Sequence, residues 1–123
     1  MQLMGERSVE HGEHAGLGWI EGEVVPIATV GPARKIPHMG WNQAVIRRPV
    51  PLLKGIDEGS HFYFVHSYYV VPTDQSVVAV ECDYHQRFCA MIWRDNIFAT
   101  QFHPEKSQAV GLKFIANFLA WSP

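Results

Sequence analysis

Short apolar segments separated by turn-forming residues run through the middle and the end of this chain. The segments are rich in Val, Ile, Phe, Tyr and Trp, and several breaks between them hold Pro, Asp or Asn. This pattern is typical of β-strands joined by short links, which usually pair in antiparallel fashion. We therefore predict consecutive strands over residues 41–47, 61–71, 76–84, 88–93 and 97–102.

Helical patterns lie at the two ends of the chain. Ser107 is a candidate N-cap, and apolar residues then recur at three- and four-residue spacings up to Trp121. This spacing predicts a closing amphipathic helix. Its apolar stripe comprises Val110, Phe114, Ile115, Phe118 and Leu119. At the other end, residues 1–10 have the pattern of a helix tail that Gly12 brings to an end.

Two further segments connect these elements. The β-branched stretch over residues 24–30 is interrupted by Pro26, with Pro32 close behind, and it predicts a short edge strand. Residues 48–59 read as a long surface loop. The sequence shows neither an internal repeat nor a linker, so we predict one continuous unit that is rich in β-structure and flanked by helices.

Composition and charge narrow the functional class. The 123 residues are 47% hydrophobic and 18% charged, which suits one globular core. The net charge is −2, with a single adjacent basic pair at Arg47 and Arg48, so nucleic acid and acidic membranes are not expected partners. Only two cysteines occur, and the first residues hold no apolar signal segment. We therefore expect a cytoplasmic protein.

The candidate chemistry lies in the sequence QFHPEKS at residues 101–107. His103 and Glu105 are two residues apart directly after a predicted strand, so an extended backbone would place both on one side. A carboxylate that orients an imidazole creates a general base, which then needs a nucleophile from elsewhere in the fold. The alternative is a surface histidine followed by a helix-entry proline and a glutamate near a helix N-terminus.

Four segments together resemble one family. QFHPE, followed by a helix that a serine caps, looks like the His-Pro-Glu signature of class I glutamine amidotransferases. The segments KIPHMGWNQ at 35–43 and YFVHSYY at 63–69 resemble the glutaminase subunit of imidazole glycerol phosphate synthase, and so does the start of the chain. The resemblance implies an α/β fold of three layers with a mixed sheet. Residues 1–123 would form a partial amidotransferase domain, with its more antiparallel back portion.

The resemblance also implies roles for individual residues. His103 would be the general base and then the general acid, and Glu105 would hold its tautomer. Four residues would contact the substrate glutamine: Gln2, Glu10, Ser67 and Tyr68. Four others would face a (β/α)₈-barrel cyclase subunit: Trp41, Asn42, Tyr63 and Lys106. Taken without the family, the same residues suit a solvated helix, strand ends, core positions and a helix-entry charge.

The nucleophile is the missing member. The family elbow reads G-x-C-L-G-M-Q, and this sequence begins at its Met-Gln, so the family cysteine would lie just ahead of Met1. Cys82 and Cys89 fall inside predicted strands and are expected to be small buried hydrophobes. We therefore expect the chain to be incomplete, inactive alone and prone to self-association through an exposed strand edge. No histidine spacing matches a zinc pattern, so neither a metal nor a cofactor is expected.

The implied reaction is hydrolysis of glutamine to glutamate and ammonia, with the ammonia passed to the cyclase for histidine biosynthesis. Three alternatives stay open at this point. The first is a paralogue that supplies ammonia for sugar modification, and the second is a fragment that acts only through interaction or regulation. The third is a translation start assigned to an internal methionine.

Overall fold

Three β-sheets and one α-helix make up the fold, in a computed structural model that describes residues 1–8, 12–27, 37–84 and 86–122. The strands in these residues are β1 Arg7–Ser8, β2 His14–Ala15, β3 Gly22–Pro26, β4 His38–Gln43, β5 Val45–Ile46, β6 His61–His66, β7 Tyr68–Pro72, β8 Val78–Tyr84, β9 Gln86–Arg94 and β10 Ile97–Thr100. The helix, α1, spans Gln108–Ala120. Short 3₁₀ turns lie at Gln2–Met4, Pro51–Leu53, Gln75–Val77 and Pro104–Lys106.

The first sheet, in the order β2-β1-β3-β7, is mixed. Strand β1 runs parallel to β3, and the other pairs are antiparallel. The prediction of an edge strand here is wrong, because β3 lies between β1 and β7 with Val24 buried. Pro26 is accommodated at the last position of the strand, where it faces Tyr68. Val30 and Pro32 lie outside the described residues.

The second sheet, in the order β10-β9-β8-β5, is antiparallel throughout and confirms the predicted consecutive strands. Two predicted strands are each divided in the structure. The strand predicted over residues 41–47 is divided at Ala44 into β4 and β5. The strand predicted over residues 61–71 is divided at Ser67 into β6 and β7. The halves separate because they pair with different partners: β6 forms a two-stranded sheet with β4, whereas β7 joins β3.

The helix predicted over residues 1–10 is wrong over residues 5–8, and residues 9 and 10 lie outside the described residues. Only Gln2–Met4 forms a 3₁₀ turn, and the chain then extends as β1. The backbone of Arg7 pairs with Glu23 on one side and Ala15 on the other. These partners are distant in sequence, so local helix propensity does not reveal them.

The prediction of a surface loop over residues 48–59 is also wrong in part. Within this segment Val50, Leu52, Leu53 and Ile56 are buried in the main core. The amide of Asn117 in α1 donates hydrogen bonds to the carbonyls of Leu52 and Lys54, both at 2.9 Å. The loop therefore lies under the helix and forms part of its seat.

The closing helix is confirmed, but its apolar stripe is buried only in part. Phe114 packs against Phe62 and Phe102 in the core, with ring centroids 6.2 and 5.5 Å away. Phe118 and Leu119, further along, are 51% and 78% exposed. The helix therefore meets the sheet through its first half.

Gly111 lies where α1 approaches the preceding turn most closely. A Cβ atom added at Gly111 would stand 1.9 Å from the carbonyl oxygen of Pro104. Alanine normally stabilises a helix interior by about 1 kcal/mol relative to glycine. Here we expect Gly111→Ala to lower the free energy of unfolding by about 2 kcal/mol, because the helix must shift away from the turn. Urea denaturation measures this, with the exposed Leu112→Ala as control, and a stabilised Gly111→Ala variant would contradict it.

Candidate functional site

His103 and Glu105 meet in the turn that links β10 to α1. Nδ1 of His103 lies 2.7 Å from Oε1 of Glu105, and both side chains are partly exposed. Sequence reasoning assumed an extended backbone, whereas Pro104–Lys106 forms a 3₁₀ turn that still brings the groups together. Because the carboxylate accepts the Nδ1 proton, Nε2 is the unprotonated nitrogen of the neutral ring and points away from Glu105. This arrangement can act as a general base.

The electrostatics of the turn keep Glu105 ionised. Partial desolvation acts to raise the pKa of the Glu105 carboxyl, but on balance this pKa is lowered. Hydrogen bonds from its own backbone N–H and from His103 lower it, and so do the charges of His103 and Lys106. An ionised carboxylate is the form that orients a neutral imidazole and stabilises its protonated state.

A buried serine holds this turn against β6. The hydroxyl of Ser107, which is 0% exposed, donates to the carbonyl of His103 at 2.6 Å and accepts from the backbone N–H of Tyr63 at 3.0 Å. The backbone N–H of His103 in turn donates to the carbonyl of Tyr63 at 2.9 Å. Ser107 occupies the predicted N-cap position, but its side chain does not cap the helix. Its hydroxyl instead fixes the histidine backbone.

The N-terminal turn contacts the same region. Nε2 of Gln2 donates to the carbonyl of Tyr68 at 2.9 Å and to Oε1 of Gln101 at 3.1 Å. Two of the predicted substrate residues, Gln2 and Tyr68, are thus in direct contact, and the neighbouring Ser67 accepts a bond from the backbone of Ile27. Glu10, the fourth residue of the predicted set, lies outside the described residues.

Gln101 is a residue that sequence reasoning missed as a member of the site. Its signal was available, because it is the first residue of QFHPE and lies two positions before His103. Its backbone N–H donates to the carbonyl of Ala90, which anchors it beyond the end of β10. Gln101 thereby joins the turn of His103 to Gln2.

Three of the four predicted interface residues form one surface cluster. Trp41 on β4 is 45% exposed and meets Tyr63 on β6 edge to face, with ring centroids 6.1 Å apart. Nζ of Lys106 lies 5.9 Å from the centroid of the Tyr63 ring, within the range of a cation–π contact. Asn42 lies beside them but on the other face of the β4–β6 sheet, where its amide binds the carbonyl of Asp83 at 3.0 Å.

Both cysteines are buried, as predicted. Cys82 on β8 and Cys89 on β9 are almost completely inaccessible, and burial raises the pKa of each thiol to about 12. Neither forms a thiolate near neutral pH, which is the state that attacks a carbonyl carbon. His103 therefore has no activated thiol partner among the two cysteines of this sequence.

Within the described residues, no three His, Cys, Asp or Glu side chains are grouped closely enough to hold a metal ion. His11 and His85 lie outside the described ranges. No helix in the described part of the chain is long and apolar enough to cross a membrane.

The sequence matches one protein family, and it is similar to individual proteins of that kind along almost its whole length. Residues 1–121 match the profile of the family described as glutamine amidotransferase class-I. The chain is 55% identical to imidazole glycerol phosphate synthase subunit HisH of Syntrophotalea carbinolica and 52% identical to that of Rhodospirillum rubrum. These alignments cover 96% and 100% of this chain, which spans 59% and 58% of the length of the two relatives.

A solved structure has a similar fold. It is the crystal structure of a Thermoplasma acidophilum protein described as a candidate GMP synthase subunit, with a TM-score of 0.62. The match covers 80% of this chain and 47% of that protein, at 19% sequence identity. At this identity the similarity concerns the fold alone.

Proposed function

This chain belongs to the class I glutamine amidotransferase family, and on that premise we propose that it forms part of a glutaminase in histidine biosynthesis. The glutaminase acts in the cytoplasm and supplies ammonia to the (β/α)₈-barrel cyclase of imidazole glycerol phosphate synthase. Residues 1–123 contribute part of its amidotransferase domain. Two contacts carry the proposal. Nδ1 of His103 lies 2.7 Å from Oε1 of Glu105, and the side-chain amide of Gln2 donates a hydrogen bond to the carbonyl of Tyr68.

The proposed reaction divides glutamine hydrolysis into two acyl-transfer steps. Nε2 of His103 takes the proton of a cysteine thiol as the sulfur attacks the side-chain carboxamide carbon, and it returns this proton to the departing ammonia. In the second step His103 deprotonates water, which attacks the thioester to release glutamate and regenerate the thiol. Glu105 stabilises the imidazolium in both steps.

The proposed substrate site lies where the N-terminal turn meets the break between β6 and β7. Gln2, Ser67 and Tyr68 would contact glutamine, with Gln101 holding Gln2 in place. Glu10 remains a proposed contact on the strength of the family motif. Their support is the direct bonding of Gln2 to both Tyr68 and Gln101.

We expect the chain by itself to show no glutaminase activity above background, because both of its thiols are buried and protonated. A chimera tests this: the segment of the Syntrophotalea carbinolica relative that precedes the aligned region is joined to residues 1–123, and the product is assembled with the cyclase of that organism. The chimera should release ammonia from glutamine at about 1 per second or faster. The matched control replaces the family elbow cysteine of the added segment with serine.

The outcomes separate the parts of the proposal. Activity of the chain alone would show that residues 1–123 hold their own nucleophile. A folded, assembled chimera that fails to release ammonia would contradict the glutaminase role.

Self-association of the isolated chain also stays a prediction, which sedimentation measures directly.

A further inference from the structure

A row of hydrogen bonds crosses the buried face of the β4–β6 sheet. Nδ1 of His66 lies 2.8 Å from the carbonyl oxygen of Tyr68, and Nε2 of His66 lies 2.9 Å from Nδ1 of His38. Nε2 of His38 lies 3.2 Å from Nδ2 of Asn42, which also donates to the carbonyl of Asp83 at 3.0 Å. The row joins the end of β8 to the break between β6 and β7.

The chemistry of the end groups sets the proton positions along this row. A carbonyl oxygen only accepts, so Nδ1 of His66 must carry a hydrogen and its Nε2 must be the acceptor of a neutral ring. Nδ1 of His38 must then be the donor, and Nε2 of His38 accepts from Asn42. The amide of Asn42 has two N–H groups, which serve His38 and Asp83, while its oxygen accepts from the backbone of Gln43. Every donor meets an acceptor in this one arrangement.

The surroundings keep both rings neutral. His38 is 3% exposed and His66 is 6% exposed. The ring of His38 stacks on Tyr84 with centroids 4.0 Å apart. Burial lowers the pKa of His38 to about 4, and the neighbouring His66 contributes to this lowering. Burial also lowers the pKa of His66. The hydrogen bond to the Tyr68 carbonyl acts to raise this pKa, whereas the charge of His103 lowers it further.

Protonation of either ring would break the row. A proton on Nε2 of His66 would face the hydrogen on Nδ1 of His38 across 2.9 Å, and a proton on Nε2 of His38 would face the amide nitrogen of Asn42 across 3.2 Å. In either case two donors face each other and a buried N–H group is left without an acceptor, which is unfavourable. The row therefore tolerates only the neutral state.

The row ends on an oxygen that belongs to the proposed substrate site. The carbonyl of Tyr68 accepts from His66 on one side and from Gln2 on the other. Ser67 and Tyr68 are the residues at which the chain leaves the β4–β6 sheet for the β3–β7 pair. The hydrogen bond from His66 thus fixes the orientation of the Tyr68 carbonyl within this junction.

We propose that His38 and His66 are positioning residues of the glutamine site, which hold Ser67 and Tyr68 through a hydrogen-bonded row that is complete only with both imidazoles neutral. The inference rests on the proposed function for its substrate. The row itself is independent of that function, and the two can be tested separately.

The first test measures the proton positions directly. In the ¹⁵N-labelled chimera assembled with its cyclase, long-range ¹H–¹⁵N correlation spectra should show both histidines as the Nδ1–H tautomer. Neither ring should titrate at the pKa of an ordinary histidine, which is about 6.5. An Nε2–H tautomer at either position, or titration of His38 near pH 6.5, would overturn the inference even if the enzyme is active.

The second test separates the hydrogen bonds from the packing. His38→Phe keeps the stack on Tyr84 but removes both polar contacts, whereas His38→Gln retains a donor toward His66 and an acceptor toward Asn42. We expect His38→Phe to raise KM for glutamine about tenfold with kcat within about twofold, because Nε2 of His66 loses the buried donor that His38 supplies. His38→Gln should stay near the parent value, as should the exposed control His61→Gln on β6.

The results distinguish each possibility. An unchanged KM in His38→Phe, or equal losses in the Phe and Gln variants, would show that His38 serves packing alone and would overturn the positioning role. Should His38→Phe fail to fold, the tautomers of the parent and the KM of His38→Gln decide the question. An inactive parent chimera would contradict the proposed function, while the spectra would still report on the row.

Discussion

Replacing His103 by alanine in the chimera is expected to lower kcat for glutamine hydrolysis by about 10³-fold or more. The substitution removes the ring that Glu105 orients, so the thiol loses its base and the leaving ammonia loses its proton donor. The general-base effect alone is worth about 10²–10⁴ in rate. Ammonia release at saturating glutamine measures it.

Two variants make this result specific. Glu105→Gln should reduce kcat less, because the amide oxygen can still accept from Nδ1 while the stabilisation of the imidazolium is lost. His61→Ala, an exposed histidine at the start of β6, should leave turnover unchanged. Near-parent turnover in His103→Ala would remove the assigned role, whatever the Glu105 variant shows.

Trp41→Ala in the chimera is expected to weaken assembly with the cyclase by about 2 kcal/mol, or about 30-fold in Kd. Trp41 offers a large ring on the surface, supported by Tyr63 and Lys106. Aromatic residues with a nearby cation are frequent anchors of protein interfaces. Isothermal titration calorimetry measures the affinity.

The control for Trp41 is a second exposed apolar residue outside the cluster. Leu119→Ala, near the end of α1, removes a more exposed side chain and should leave the affinity unchanged. Equal affinities for the parent and the Trp41 variant would return Trp41 to the role of an ordinary surface residue. Lys106→Ala should weaken assembly less than Trp41→Ala, because its contact with Tyr63 is solvated.

Tyr63 joins the two regions that these predictions address. Its side chain belongs to the surface cluster, while its backbone carbonyl and N–H hold the turn of His103, the latter through Ser107. A displacement of β6 at Tyr63 would therefore reach the histidine through backbone hydrogen bonds. The two expected effects therefore concern neighbouring regions that meet at Tyr63.

Local pattern by itself was sufficient for much of the secondary structure. The antiparallel strands β8, β9 and β10 and the helix α1 follow from short-range apolar spacing and turn residues, which act within a few positions. The burial of Cys82 and Cys89 follows in the same way. The motif QFHPE also brings His103 and Glu105 together, because two residues so close in sequence remain neighbours in almost any turn.

Tertiary structure decided what depends on distant partners. Residues 7 and 8 become a strand because β2 and β3 lie on either side, and β3 is an inner strand for the same reason. The apolar residues of the segment over residues 48–59 are buried because α1 covers them, and the hydroxyl of Ser107 accepts from the backbone N–H of Tyr63 because β6 lies within reach. The row from Asp83 to Tyr68 requires four strands, β8, β4, β6 and β7, to converge. Backbone pairing and buried hydrogen bonds join residues far apart in sequence, so a one-dimensional pattern cannot specify which partners meet.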